Sequence, residues 1–571
     1  MDKLSLYRAG RLVLPAENLA WQLYGAGLEN FGRNGRPARL PMPGWGRDEL
    51  LARVDAIGIC FSDVKLIAQG SSHPRITGRD LGKGPVVPGH EVSLTIVGVG
   101  EDLKGRFAVG DRFVVQADVY YRGANLAFGY ALAGGMQQYV VLGDEVLRGD
   151  EGCYLIPVRP ETGYAEAALT EPWACVVASY RIHPRREMRE DGVALFLGPA
   201  GRPRYALPRG SRPGKAILAG VGQSIDRAEL AGSEIVEIGP VQGHELAALA
   251  QERTGERGFD DIIVLGRMEP ELIEALDRHL ARGGVLNVVG DDPAPGPVAI
   301  DVGRVHYDGV LYVGGGEIGQ GYRESRDSEL RAGGTAWFVG AGGPMGQMHV
   351  ERAVQMQRGP ARILATDVDD ARLEALSDRV LPLAEQKGIE ITFVNPAAEE
   401  RGCSFRAVSA ELTGGRGFDD IVVLAPVPAL IEQAARCLAD GGLLNIFAGV
   451  PRGTIAEMDL SAVQRGARFV GSSGSRPADL EFTLHEAETG DLATNRSVAA
   501  IGGIDAVGDG VRAVKEARFP GRIVIFPQIG DLPLLSAADL REALPGVYAK
   551  LDGGRFWTRE AEQELLREAL G

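Results

Sequence analysis

Residues 257–290 read RGFDDIIVLGRMEPELIEALDRHLARGGVLNVVG, and residues 416–449 read RGFDDIVVLAPVPALIEQAARCLADGGLLNIFAG, so one stretch of sequence occurs twice. Each copy contains a short apolar run (IIVL or IVVL), a segment with leucine and isoleucine at helical spacing, a Gly-Gly pair and a second apolar run. Short apolar runs are typical of buried strands. The sequence therefore predicts a strand–helix–strand unit that is present twice, with a turn at each Gly-Gly pair.

The similarity extends outward from these stretches. Residues 193–201 (VALFLGPAG) correspond to residues 335–343 (TAWFVGAGG), and Asp301 and Asp459 precede the next strand of each copy. Repeated strand–helix units of this kind predict two tandem doubly wound α/β domains, the first over 190–325 and the second over 332–475. Residues 1–185 have short alternating strands between Gly and Pro turns, which predicts a β-rich domain. We expect residues 476–530 to return to that domain and residues 531–571 to form a helical tail.

The second copy has a glycine-rich turn, GAGGPMG at 340–346, between a predicted strand and a helix-compatible run. Glycines allow the backbone to approach a pyrophosphate, which then binds at the helix N-terminus. Asp367 follows about 20 residues later, where a carboxylate accepts the ribose hydroxyls and repels a 2′-phosphate. The turn therefore predicts a site for NAD rather than NADP, formed by Asp367 and by Gly340, Gly342, Gly343, Pro344, Met345 and Gly346.

The first copy departs from this pattern. Arg204 stands where the second copy has Gly346, and Pro203, Pro208 and Pro213 would interrupt the following helix. No carboxylate follows its strand at 215–219. We therefore predict a degenerate copy that binds no dinucleotide and has a structural or oligomerisation role. The alternative is an anion site for a phosphorylated or acidic substrate, formed by Arg202, Arg204, Arg209 and Arg212.

Three short motifs contain candidate metal ligands: GICFSD at 58–63, PGHE at 88–91 and TEPWA at 170–174. They supply the thiolate of Cys60, the imidazole of His90 and the carboxylates of Glu91 and Glu171. A catalytic zinc takes nitrogen, sulfur and oxygen donors and keeps one position open. Two further residues of the first motif have candidate roles: Ser62 as a proton relay and Asp63 as a group that orients a ligand.

These motifs, together with GDRF at 110–113 and GGMQQY at 134–139, resemble the medium-chain zinc-dependent alcohol and polyol dehydrogenase family. The stretches EPWACVVASY and GGPMGQMH are most similar to its L-sorbose-1-phosphate reductase and sorbitol dehydrogenase branch. The resemblance implies an α/β protein with an N-terminal GroES-like catalytic domain and Rossmann-type domains. It also implies one catalytic zinc on Cys60, His90 and Glu171, with Glu91 either as an alternating ligand or as a group that contacts a ligand. Residues 114–139 contain no cysteine, so no structural zinc is expected.

The composition of the chain argues against some classes of binding partner. Asp and Glu outnumber Lys and Arg by 77 to 61, giving a net charge of −16, which argues against nucleic acid or an anionic membrane as the main partner. No stretch approaches the roughly 18 apolar residues that a membrane span requires. The 5 cysteines are scattered without a C-x-x-C pair, so a reducing cytoplasm is expected. We also expect a homo-oligomer that acts on a small molecule.

The function that these features favour is zinc-dependent oxidoreduction, with hydride transfer between NAD and a secondary alcohol of a polyol, sugar or sugar derivative. Two alternatives remain open. One is an epimerase or lyase that recycles bound NAD through transient oxidation. The other is a non-catalytic, metal-bound scaffold whose duplicated domain binds a partner.

Overall fold

The computed structural model describes residues 2–76, 78–181, 185–267, 269–290, 292, 296–323, 328–401 and 405–570. Cys403, one of the scattered cysteines, lies outside these ranges. The chain divides into two units, Met1–Val177 with Gly474–Gly571 and Ala178–Ser473. No helix in the described ranges is long and apolar enough to cross a membrane.

The first unit contains a β-rich domain and the C-terminal segment. Its strands are β1 (Glu17–Ala20), β2 (Ala38–Pro41), β3 (Leu50–Ile59), β4 (Glu91–Val99), β5 (Arg112–Val115), β6 (Tyr120–Tyr121), β7 (Ala124–Asn125), β8 (Tyr139–Leu142) and β9 (Leu155–Pro157). Its first helices are α1 (Lys3–Arg8), α2 (Phe61–Gln69), α3 (Asp144–Leu147), α4 (Tyr164–Ala168) and α5 (Thr170–Tyr180), the last of which continues into the second unit.

The second unit contains both copies of the repeat. Its strands are β10 (Val193–Leu197), β11 (Lys215–Ala219), β12 (Glu234–Ile238), β13 (Phe259–Leu265), β14 (Leu280–Val289), β15 (Pro297–Asp301), β16 (Leu311–Gly315), β17 (Thr335–Val339), β18 (Arg362–Thr366), β19 (Glu390–Val394), β20 (Phe418–Val423), β21 (Leu438–Ile446), β22 (Ile455–Asp459) and β23 (Arg468–Val470). Its helices are α6 (Leu246–Thr254), α7 (Pro270–Asp277), α8 (Val302–Asp308), α9 (Pro344–Gln355), α10 (Asp370–Lys387), α11 (Phe405–Thr413), α12 (Pro428–Arg436) and α13 (Ser461–Gln464).

The C-terminal segment completes the first unit. It contains β24 (Val498–Gly503), β25 (Arg522–Phe526), β26 (Leu535–Ser536), α14 (Pro477–Thr489), α15 (Val507–Lys515), α16 (Ala537–Ala543), α17 (Pro545–Tyr548) and α18 (Arg559–Leu570). Three of these strands extend the N-terminal sheet, which has the order β26-β24-β25-β3-β4-β5-β9, with β8 also paired to β3.

The antiparallel pairing of β3 with β4 positions the metal-ligand motifs. Gly58, near the end of β3, lies opposite Glu91, the first residue of β4. Cys60 directly follows β3, and His90 directly precedes β4. Because an antiparallel pair places the end of one strand beside the start of the other, motifs that are about 30 residues apart in sequence become neighbours.

The second unit has a 12-stranded sheet with the order β12-β11-β10-β13-β14-β16-β23-β21-β20-β17-β18-β19. Most of its strands are buried apolar runs, as expected of a parallel sheet that is covered on both faces. The sequence predicted two tandem domains, and their limits remain predictions. The arrangement of both copies in one sheet was not predicted.

The Gly-Gly pairs do not form the predicted turns. Gly283 and Gly284 lie inside β14, and Gly441 and Gly442 lie inside β21. Gly283 has φ +64°, and a Cβ at Gly284 would lie 2.8 Å from the carbonyl oxygen of Ala281. The pair therefore produces an irregularity within a strand, and the pairing register of β13 with β14 shifts at the same level.

Candidate functional site

Cys60, His90 and Glu91 lie together in the first unit. One potential ligand atom from each residue, a thiol sulfur, an imidazole nitrogen and a carboxylate oxygen, lies within 4.8 Å of the other two. Cys60 is at the N-cap of α2, and His90 and Glu91 are buried beside it. Sulfur, nitrogen and oxygen donors at this separation are the set that a catalytic zinc uses.

Asp63 contacts both of the neighbouring ligands. Its Oδ2 accepts a hydrogen bond from the backbone N–H of Cys60 at 2.9 Å. Its Oδ1 lies 3.4 Å from Nδ1 of His90. A carboxylate on the far nitrogen of a metal-binding histidine fixes the tautomer and the orientation of the ring. In this arrangement Nε2 is the nitrogen of His90 that is available to a metal.

Ser62 lies beside the other nitrogen of the His90 imidazole, Nε2. Its Oγ is 3.2 Å from Nε2 of His90. The hydroxyl is therefore beside the nitrogen that faces the candidate metal position, where a proton relay for a bound alcohol would have to be.

Arg522, the first residue of β25, pairs with Glu91 in the buried interior. The Oε2 atom of Glu91 is buried and has no hydrogen-bond partner in the described part of the chain. A Cβ at Gly58 would lie 2.0 Å from that oxygen, so the glycine of the GICFSD motif makes room for the carboxylate. An unpaired buried carboxylate oxygen is costly, and a bound cation would satisfy it.

Glu171 begins the helix α5 and is buried. Burial raises the pKa of its carboxyl group to about 7, although His90 and Arg522 lower it. The carboxylate does not belong to the group of ligand atoms within 4.8 Å of one another. The structure therefore brings Cys60, His90 and Glu91 together, with Glu171 as an electrostatic neighbour, whereas the resemblance implied Glu171 as a ligand and Glu91 as an alternating one.

Two residues of this site were missed by the sequence analysis. Arg522 opens an apolar strand, which is an unusual place for a buried cation and could have been noticed. Tyr130 lies in a loop, and its ring centroid is 5.6 Å from that of His90 and 5.3 Å from that of His73. No sequence signal connects that loop with the metal-ligand motifs.

The residues of this site fit a zinc ion. The donor set is mixed, with Cys60 half-buried and the other two residues buried, and Oε2 of Glu91 has no hydrogen-bond partner in the described residues. A carboxylate oxygen of Asp63 lies 3.4 Å from Nδ1 of the histidine, on the side away from the candidate metal position. That the chain holds no structural zinc remains a prediction, which depends on the absence of cysteine from residues 114–139.

The glycine-rich turn of the second copy joins β17 to α9. Gly340 has φ +83°, and a Cβ at Gly346 would lie 2.3 Å from the carbonyl oxygen of Gly340. The N-terminus of α9 begins at Pro344, with Gly343 as its N-cap. The turn therefore requires glycine for close packing and leaves a helix N-terminus available to an anion.

Asp367 follows β18 and lies beside this turn. Its Oδ2 accepts a hydrogen bond from the backbone N–H of Gly342 at 2.9 Å. The carboxylate is thus held at the carboxyl end of the strand that neighbours β17, where a dinucleotide ribose would bind. The residues of the turn and Asp367 fit a dinucleotide cofactor.

The corresponding turn of the first copy differs. Residues 198–214 contain no helix, so β10 is followed by irregular chain up to β11. Nη2 of Arg202 lies 2.5 Å from Oδ2 of Asp292. Nη1 of Arg204 lies 3.3 Å from Oδ2 of Asp226. These ion pairs reduce the positive charge that the alternative anion site would need.

The part of the chain that contains this site is similar to a known domain family. Residues 46–148 match the alcohol dehydrogenase GroES-like domain. This part of the chain is therefore similar to the GroES-like domain of alcohol dehydrogenases, and Cys60, His90 and Glu91 all lie within the matched residues.

Individual relatives extend beyond the matched domain. The mannitol-1-phosphate 5-dehydrogenase of Aliivibrio fischeri (strain ATCC 700601 / ES114) is 23% identical over 92% of this chain and 93% of its own length. The L-sorbose 1-phosphate reductase of Klebsiella pneumoniae is 29% identical over 52% of this chain and 74% of its own. The crystal structure of AibC shares the fold, with a TM-score of 0.50 and 18% identity over 90% of this chain and 96% of that one.

Proposed function

We propose that this protein is a zinc- and NAD-dependent dehydrogenase that oxidises a secondary alcohol of a polyol or sugar phosphate, or reduces the corresponding ketone. The observation that carries the proposal is the group formed by Cys60, His90 and Glu91, with Ser62 beside the imidazole. A zinc ion bound there would polarise the alcohol oxygen and lower the pKa of its hydroxyl group.

The chain's own residues have separate tasks in this proposal. Asp63 orients His90 through Nδ1 and holds the backbone of Cys60, so it fixes two donors at once. Arg522 holds the carboxylate of Glu91. Ser62, which is half-buried and lies beside His90, would accept the proton of the substrate hydroxyl while it releases its own hydroxyl proton to water.

The glycine-rich turn and Asp367 supply the NAD site of the proposal. The N-terminus of α9 would receive the pyrophosphate, and Asp367 would accept the hydroxyls of the adenosine ribose. Two of the relatives are named for phosphorylated sugars or polyols, which supports a phosphorylated substrate class here. A cytoplasmic location and a homo-oligomer remain predictions.

An activity screen tests the proposal. Purified protein loaded with zinc should form NADH from NAD with at least one member of a panel of polyols and polyol phosphates, or consume NADH with at least one member of a panel of ketose phosphates. Ser62→Ala should lower kcat by roughly 100-fold, which is the usual contribution of a positioned proton-transfer group. Turnover of a sugar without accumulation of NADH would instead indicate an epimerase or lyase. No turnover of the whole panel by zinc-loaded protein would contradict the proposal.

A further inference from the structure

The order of equivalent strands in the 12-stranded sheet is the same when it is followed from either edge. Starting from β12, the first half follows the order β12-β11-β10-β13-β14-β16. Starting from β19, the second half follows β19-β18-β17-β20-β21-β23, which is the same order of the corresponding elements. The halves meet at β16 and β23, which pair antiparallel, with Tyr312 opposite Phe469. Equivalent strands that pair antiparallel indicate a local two-fold axis between the copies.

A second strand pair lies on the same axis. The antiparallel register of β15 with β22 places Pro297 opposite Asp459, and Asp301 opposite Ile455. When the repeats are aligned through Asn287 and Asn445, Asp301 corresponds to Asp459 and Ala299 corresponds to Glu457. Ala299 lies directly opposite Glu457, so the pair is centred on equivalent residues.

The local hydrogen bonds of these strands are also repeated. The backbone N–H of Ala299 donates to Oε1 of Glu274 at 3.2 Å, and that of Glu457 donates to Oε1 of Glu432 at 3.0 Å. Glu274 and Glu432 are equivalent positions in the repeat. Each copy therefore has the same hydrogen bond between a helix glutamate and the strand, β15 or β22, that pairs with the other copy.

The surface between the copies is apolar and buried. The first copy contributes Val298, Ile300 and Val302, and the second contributes Ala456, Met458 and Leu460, none of which is more than 1% exposed. These side chains belong to one hydrophobic core that contains residues of both copies. A continuous apolar core of this kind is typical of obligate subunit interfaces.

From these symmetric contacts we infer that the first copy acts as a built-in partner subunit. A self-complementary surface is one that pairs with a second copy of itself, and in this chain the second copy is supplied by the repeat. The first copy retains the strands and side chains needed for pairing, while its dinucleotide turn has lost the helix. Without it, β22 and β23 would present an apolar face and an open strand edge. The inference is independent of the proposed dehydrogenase activity.

Cysteine cross-linking of the full-length protein tests this inference. In the double variant Ala299→Cys, Glu457→Cys, the two thiols are expected to form a disulfide within one chain upon mild oxidation, because directly opposed Cβ atoms lie about 5 Å apart. The product should migrate as a single chain of 60.7 kDa with two fewer free thiols than the reduced protein. Each single variant should give no cross-linked dimer, since no second chain meets this axis. A covalent dimer from the double variant or from either single variant would overturn the inference.

A substitution that places a charge in the buried surface between the two copies provides a second test of the inference. Val298→Asp should open the paired surface, lower the melting temperature by at least about 5 °C and produce concentration-dependent association of chains in sedimentation experiments. The matched control is Ile455→Asp in the partner strand, because Ile455 is 52% exposed. The control should retain the melting temperature and mass of the wild type. A Val298→Asp variant with wild-type melting temperature and mass would contradict the inference.

Discussion

The carboxylate of Glu562, on the C-terminal helix α18, accepts a hydrogen bond from the backbone N–H of Tyr164, at the start of α4, at 2.6 Å. The same carboxylate accepts the N–H of Ala165 at 2.8 Å. Arg559 of the same helix pairs with Glu166 through two hydrogen bonds. Because α4 leads directly into α5, the C-terminal helix holds the segment that carries Glu171.

This contact predicts a pH-dependent stability. Burial raises the pKa of Glu562 from 4.5 to about 7, although the two backbone N–H groups and Arg112 lower it. A carboxyl group with a raised pKa in the folded state contributes stability that is fully present below its unfolded pKa and is lost as the pH rises through the folded one. The free energy of unfolding should therefore fall between about pH 4.5 and 7, by on the order of 1–3 kcal/mol more than in Glu562→Gln. Denaturant unfolding at several pH values measures this difference.

The control for that experiment is Glu560→Gln on the same helix, where the side chain is exposed. It should retain the wild-type pH dependence. If Glu562→Gln and the wild type gave parallel stability curves, the buried carboxylate would not be the titrating group.

The metal site predicts the zinc content of two variants. Cys60→Ser and His90→Ala should each lose the bound zinc, about one ion per chain in the wild type, together with activity. The reason is that either change leaves too few protein donors to hold the ion. Elemental analysis of the purified proteins measures this directly. Two zinc ions per chain, or full turnover without zinc, would be incompatible with the assignment.

The contact of Asp63 with His90 predicts a positioning effect. Asp63→Asn should reduce zinc affinity by about 10–100-fold, because the imidazole loses the carboxylate that orients it. Competition with a zinc chelator measures the affinity without any need for activity. Asp48→Asn is the control, since the Asp48 side chain is 60% exposed. An unchanged affinity in Asp63→Asn would show that the 3.4 Å contact does not orient the ligand.

The position of Asp367 predicts the cofactor preference. The wild type should prefer NAD, and Asp367→Ala, combined with an arginine at a nearby position, should shift the preference toward NADP by about tenfold or more through loss of charge repulsion at the 2′-phosphate. Steady-state kinetics with both cofactors gives the ratio of kcat/KM. A wild-type preference for NADP would place the carboxylate away from the ribose.

The close packing of the glycine-rich turn predicts the binding stoichiometry. Gly346→Val should abolish NAD binding, because a side chain there would collide with the carbonyl oxygen of Gly340. Calorimetric titration of the wild type should give about one NAD per chain. Ala200→Val, in the turn of the first copy, should leave binding unchanged, and two equivalent NAD sites would refute the prediction that the first copy is degenerate.

The sequence by itself determined the elements that depend on local patterns. The repeat around Arg257 and Arg416 indicated the strand–helix–strand units, since buried strands and amphipathic helices have different periods. Cys60 and His90 were predicted to be ligands because of their residue types and surrounding motifs, and the fold places their potential ligand atoms close together. The loss of the helix between β10 and β11 followed from the proline residues, which cannot donate the hydrogen bonds of a helix interior.

Only the tertiary structure decided the long-range relationships. Arg522 reaches Glu91 because β25 pairs with β3, which no local pattern encodes. The ring of Tyr130, in a separate loop, lies tilted against that of His90, a contact that no local pattern encodes either. The meeting of Ala299 and Glu457 depends on how two similar units pack together. Strand register between distant segments is set by the burial of whole faces rather than by any one residue, so it appears only when the chain is folded.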